Sequence, residues 1–102
     1  VAPRANFMSV EAPKADFGRA DLSGATLGGA KLAEASFVEA VAPRADFKVV
    51  QAPKADFGKA QLTDAQLIGA DLAEASFLEA VATSADFTQV RATKADFGKA
   101  QL

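Results

Sequence analysis

Every fifth residue of this chain is Leu, Phe or Ala, and the pattern continues from Ala2 to Leu102 without a slip. We call this central position i. The residue at i−2 is always Ala, except at Val10, Val50 and Val90. A period of five matches neither the two-residue alternation of a strand nor the 3.6 residues of a helical turn, so no single sheet face or helix face can collect these side chains. The chain must therefore change direction once in every five residues.

The residues that favour turns fall at two positions of the five-residue unit. All four prolines and four of the seven glycines are at i+1, and the other three glycines, Gly24, Gly29 and Gly69, are at i+2. Pro presets φ for the first central position of a β-turn, and Gly tolerates either central position. Each unit therefore predicts a short extended piece followed by a corner. Four corners would close a square, with i and i−2 inside and i−1, i+1 and i+2 facing water.

A longer repeat also predicts a four-sided coil. Residues 1–40 and 41–80 are identical at 28 of 40 positions, residues 81–102 begin a third copy, and none of the differences falls at i or i−2. Forty residues correspond to two coils of four units, which places large central residues over small ones on two of the walls, as a filled core requires. The central residues of the four walls are Phe7, Leu27, Phe47, Leu67 and Phe87 (wall A); Ala12, Leu32, Ala52, Leu72 and Ala92 (wall B); Phe17, Phe37, Phe57, Phe77 and Phe97 (wall C); and Ala2, Leu22, Ala42, Leu62, Ala82 and Leu102 (wall D).

Units such as Ala15-Asp16-Phe17-Gly18-Arg19 resemble the A(D/N)LXX unit of the pentapeptide repeat family, and the resemblance covers the whole chain. It implies an all-β fold, a right-handed quadrilateral β-helix (solenoid) of about five coils of twenty residues with no terminal helix. We interpret residues 1–102 as a single domain of this kind, with a two-coil super-repeat at 1–40, 41–80 and 81–102. The sequence departs from the family pattern at i−1, where Thr26, Lys31, Gln66 and Arg91 replace Asp or Asn, and at six central alanines. At these positions we expect local hydrogen bonds to differ from the family pattern, but the predicted fold does not change.

The composition argues against catalysis. The chain has no His, Cys, Tyr or Trp, which excludes the usual Ser-His-Asp and Cys-His arrangements and the common zinc sites. Asp16, Asp56 and Asp96 share one wall but are two coils apart, about 10 Å, too far for a shared proton or a single calcium ion. We interpret them as partners of neighbouring backbone groups. We therefore predict no enzyme activity, no catalytic, cofactor-binding or metal-binding residue, and no cofactor.

The charges argue against a nucleic acid partner. Thirteen acidic and eleven basic residues give a net charge of −2, and no basic stripe is present. Two outward columns at i+2 alternate in sign and predict ladders of ion pairs from coil to coil. They are Lys14, Glu34, Lys54, Glu74 and Lys94, and Arg19, Glu39, Lys59, Glu79 and Lys99. No apolar run has the length of a membrane span and no secretory signal is visible, so we expect no membrane contact and a cytoplasmic location.

Three interpretations of function remain. The favoured one is a non-enzymatic structural or protein-interaction module, either a rigid repeat rod or a segment of a longer pentapeptide repeat protein. The resemblance implies an alternative, because some family members mimic duplex DNA and bind DNA gyrase. That mimicry needs a mostly negative surface, and this sequence lacks the terminal helical segment typical of those members. The third is an artificial or fragmentary chain with no function of its own.

For the partner we expect a protein or a second copy bound end to end. Neither end of the sequence shows a polar cap or a covering helix, so we expect one or both ends to be covered in the native setting. The other mode considered is lateral pairing through the valines Val1, Val41 and Val81. Asp21 and Gln61 interrupt that column, which favours the end-to-end mode.

Overall fold

The computed structural model describes residues 3–102, so Val1 and Ala2, the first members of the valine column and of wall D, lie outside the described residues. This part of the chain contains no helix and no continuous strand. Instead, the i−1 residues form single parallel β-bridges with the residues twenty positions further on, from Asn6↔Thr26 to Val81↔Gln101. The coil therefore contains twenty residues in four units, as predicted.

Three backbone hydrogen bonds per unit join adjacent coils. In the unit of Phe7, the N–H of Phe7 donates to the carbonyl of Thr26 at 2.7 Å, and the N–H of Ser9 donates to the carbonyl of Gly28 at 3.0 Å. The N–H of Thr26 donates back to the carbonyl of Ala5 at 2.9 Å. A fourth bond, from the N–H of the following i−2 residue to the carbonyl of i, closes the corner. Of the five N–H groups in a unit of the middle coils, only the one at i+1 has no backbone partner.

The corners are built alike along the whole described chain. Every i+2 residue from Arg4 to Lys99 has a positive φ, close to 60°, and three of these residues are glycines. A positive φ at the third residue of a turn closed by an i to i+3 hydrogen bond defines a type II turn, in which Pro fits the second residue. The glycines at i+1 do not have a positive φ, so the conformational freedom of glycine is used only at Gly24, Gly29 and Gly69.

The i and i−2 side chains fill the square, as predicted. On wall C the rings stack with nearly parallel planes, for example Phe37 on Phe57 with centroids 4.6 Å apart and an interplanar angle of 1°. Rings of wall A meet this stack edge-on, as Phe47 does with Phe57 at 5.8 Å and 82°. Within residues 3–102 no polar or charged side chain is buried. The core is therefore entirely apolar.

The molecule is a short block. Its principal extents are 28, 22 and 21 Å. Five coils with a rise of about 4.8 Å each give a length close to the width of the square, so the expected rod is barely longer than it is wide.

Replacing Leu32 with Ala should destabilise the chain by about 2–5 kcal/mol, because it leaves a cavity on a wall whose neighbours are already alanines. Leu32 is fully buried between Ala12 and Ala52. Chemical denaturation measures the loss. Leu102→Ala is the control, since Leu102 is 69% exposed and should lose little. A loss below about 0.5 kcal/mol at Leu32 would contradict the packing described here.

Replacing Val49 with Gly should stabilise the chain. Val49 has a φ of 49°, which is strained for a β-branched residue, and its side chain is mostly exposed. Removing the backbone strain should stabilise the folded chain by about 1–3 kcal/mol. This exceeds the roughly 0.5–1 kcal/mol of stability that Gly costs because it loses more conformational entropy on folding. Val38→Gly is the matched control, because Val38 is at i+1 and has no positive φ, and it should lose stability. Thermal unfolding measures the stability of both variants. A loss of stability in Val49→Gly as well as in Val38→Gly would show that Val49 is unstrained.

Candidate interaction surfaces

Asp, Asn and Ser side chains at i−1 accept hydrogen bonds from the i+1 N–H groups, which have no backbone partner. The Oδ1 of Asp56 accepts the N–H of Gly58 at 2.8 Å, and the Oγ of Ser36 accepts that of Val38 at 3.4 Å. The interpretation of the wall C aspartates as partners of neighbouring backbone is therefore confirmed. The other i−1 residues that accept this bond are Asn6, Asp16, Asp21, Asp46, Asp71, Ser76, Asp86 and Asp96.

Proline removes the same N–H group where no such acceptor is present. Pro13, Pro43 and Pro53 have no N–H to satisfy, and the i−1 residues of their units are Glu, Val and Gln, none of which makes this bond. The pairing of Asp with a non-proline residue two positions later is a signal that the sequence contained and that sequence reasoning missed. Many i−1 side chains are therefore engaged by the backbone, which leaves few of them free for chemistry.

The departures from the family pattern have the predicted local effect. Thr26, Lys31, Gln66 and Arg91 make no bond to the N–H at i+1 in the described part of the chain. The hydroxyl of Thr26 instead donates to Oδ1 of Asn6 at 3.2 Å. The coil is unchanged at these four units, so the fold does not depend on the bond.

Two carboxylates are held in their ionised form. The Ser23 hydroxyl and then the Ser23 N–H lower the pKa of Asp21, and the Thr88 hydroxyl and N–H lower the pKa of Asp86. The stabilisation is present above the ordinary Asp pKa and is lost as the pH falls through the lowered value. A lowered pKa suits a structural acceptor better than a general acid, whose pKa must lie near the working pH.

The predicted charge ladders form in part. Lys14 lies 3.9 Å from Glu34 and Arg19 lies 3.3 Å from Glu39, one rung in each column. Across residues 3–102 the other rungs are not in contact, and the remaining ion pair, Lys48 with Asp46 at 3.6 Å, lies within one unit. Exposed pairs contribute only about 0–1 kcal/mol, too little to fix long side chains. Most of the corner charges therefore remain available to a partner.

Shallow grooves cross wall C and wall B in the described part of the chain. One, of about 230 Å³, lies on wall C at Gly58, between the larger side chains of Val38 and Leu78. The other, of about 270 Å³, lies on wall B at Ala33, between Pro13 and Pro53. Both occur where a small i+1 residue stands between two larger ones.

The two ends of the block differ in the backbone groups that they leave unpaired. At the end formed by residues 83–102, each unit leaves two N–H groups, at i and i+2, such as those of Phe87 and Gln89, and one carbonyl, at i−2. At the end formed by residues 3–20, each unit leaves two carbonyls, at i−1 and i+1, such as those of Asn6 and Met8, and one N–H, at i−1. One end is therefore rich in donors and the other in acceptors.

Neither a cluster of metal ligands nor a membrane-spanning helix is found among the described residues. Among residues 3–102 no group of three or more His, Cys, Asp or Glu side chains is placed to hold a metal ion. No helix in the same range is long and apolar enough to cross a membrane.

These walls and corners define a right-handed quadrilateral β-helix, the fold predicted from the sequence. The family model described as "Pentapeptide repeats" matches eight copies, over residues 20–58 and 60–98. The chain belongs to the pentapeptide repeat family. No curated protein sequence matches it.

Solved structures of several proteins also match this chain. QnrB1, a plasmid-mediated fluoroquinolone resistance protein, is 19% identical with a TM-score of 0.63, over 95% of this chain and 50% of its own. HetL, a pentapeptide repeat protein involved in heterocyst differentiation regulation in Nostoc sp. strain PCC 7120, is 27% identical with a TM-score of 0.47, over 86% of this chain and 39% of its own. Rfr23 from Cyanothece 51142 is 18% identical with a TM-score of 0.44, over 97% of this chain and 88% of its own. The chain thus spans half or less of the length of HetL and QnrB1.

Proposed function

We propose that residues 1–102 form a single non-enzymatic domain that binds proteins, and that a second copy of these residues can stack on either end of the block. Its core is apolar, and many of its i−1 side chains are engaged by the backbone. What remains for function is a rigid frame that presents side chains and backbone groups at fixed spacing.

The opposite polarity of the two ends is the observation that carries this proposal. The N–H groups of Phe87 and Gln89 correspond to those of Phe7 and Ser9, which donate to the next coil inside the block. A copy that presents the carbonyls of its first coil supplies the same acceptors, and its i−1 N–H groups meet the carbonyls left at i−2. Head-to-tail stacking therefore continues the ladder, whereas head-to-head contact would oppose most donors with donors.

Mimicry of duplex DNA is the less favoured function. It requires negative charge in continuous rows, and the corner columns of walls B and C alternate in sign instead. The likeness to QnrB1 lies in the fold alone.

Light scattering over a hundredfold dilution tests the end-to-end contact. We expect the average mass to rise with concentration, and Leu102→Lys to weaken association because Leu102 is 69% exposed on the terminal coil. Val49→Lys is the matched control, since Val49 is 57% exposed on a side wall, and it should associate as the parent does. A monomer at every concentration, with protected amides in the terminal coils, would contradict the proposal.

A further inference from the structure

Wall C has an outer surface that alternates with a period of two coils in three columns at once. The i−1 column alternates Asp and Ser, the i+1 column alternates Gly with Val or Leu, and the i+2 column alternates positive and negative charge. The columns are Asp16, Ser36, Asp56, Ser76 and Asp96; Gly18, Val38, Gly58, Leu78 and Gly98; and Arg19, Glu39, Lys59, Glu79 and Lys99.

The groove at Gly58 is the recess in this pattern. It has a volume of about 230 Å³ and lies between Val38 and Leu78, with Lys59 and Glu79 along its edge. Leu78 is 43% exposed, which is high for a large apolar side chain in a central coil. The wall therefore offers an apolar projection, Leu78, one coil away from a recess at Gly58.

An alternating surface of this kind is complementary to itself. When two copies face each other antiparallel, with the coil of Gly58 opposite the coil of Leu78, each large i+1 side chain faces a glycine. In the same register Lys59 faces Glu79 of the second copy, and Asp56 faces its Ser76. Opposite charges across an interface favour this register over one shifted by a single coil, in which Lys59 would face Lys59 of the second copy.

We propose that wall C is an antiparallel docking surface for a second copy of this chain, with Leu78 of each copy seated in the Gly58 groove of the other. This inference rests on the proposed role in protein binding, but uses a different surface from the ends. The coil of Gly18 lies outside the overlap.

Wall B does not offer the same fit. Its i+1 and i+2 columns also alternate, but its i−1 column reads Glu11, Lys31, Gln51, Asp71 and Arg91. In the corresponding antiparallel register Lys31 faces Arg91, and a shift by two coils opposes Glu11 with Asp71. Like charges directly opposed disfavour pairing.

The pairing should be weak and reversible. A wall of 28 by 22 Å offers at most about 600 Å² per copy, less than the roughly 800 Å² of a standard interface. Sedimentation of concentrated protein is therefore the appropriate measurement.

A charge exchange tests the register. Lys59→Glu and Glu79→Lys should each weaken lateral pairing by about tenfold, because each places like charges at both symmetry-related contacts. An equimolar mixture of the two variants should recover pairing, because the new glutamate at position 59 then faces the new lysine at position 79. Both positions lie in central coils, so end-to-end association should persist in each variant.

A groove-filling pair of variants tests the seat of Leu78. Gly58→Val should abolish lateral pairing and Gly18→Val should retain it. The two glycines are matched, since a Cβ at either would lie 3.0 Å from the Oδ1 of the Asp two residues before it and neither has a positive φ. The proposal is supported if lateral pairing recovers in the charge-exchange mixture and if Gly58→Val, but not Gly18→Val, abolishes lateral pairing. Equal association of all variants, or no recovery on mixing, would overturn it while leaving the end-to-end proposal to its own test.

Discussion

The hydrogen-bond ladder between coils is the constraint on which the rest of this structure depends. Each unit makes three bonds to its neighbours and one across its own corner, so the backbone repeats every twenty residues. This repeat fixes which side chains stack, which face outward and which N–H group is left over. Asp at i−1 accepts a hydrogen bond from this last N–H group, and Pro at i+1 removes the N–H group altogether.

The two-coil period of the sequence follows from filling a square of constant size. On walls B and D each Leu lies between alanines of the neighbouring coils, about 4.8 Å away, while the flat Phe rings of wall C stack in every coil. Outward residues are free of this packing constraint, yet those of wall C keep the same two-coil alternation.

The sequence predicted the fold closely because its signals were redundant. The five-residue period placed Phe37 and Leu32 in the core, and the forty-residue repeat placed them on their walls. It did not predict the strained φ of Val49, since backbone strain leaves no periodic signal. The sequence also predicted more ion pairs in the two charge ladders than the structure contains. Lys54 and Glu74, for example, have long exposed side chains, and a sequence pattern does not determine where such side chains lie.

Native-state hydrogen exchange of individual amides tests the central claim most directly. In the middle coils we expect protection to recur with a period of five, with the N–H groups of i−2, i−1, i and i+2 protected. The i+1 amides of Ala33 and Ile68 should exchange fast, and that of Gly58, bonded to Asp56, should be intermediate. Protection in continuous blocks, or fast exchange at Phe37 and Phe57, would contradict a structure held together by this ladder.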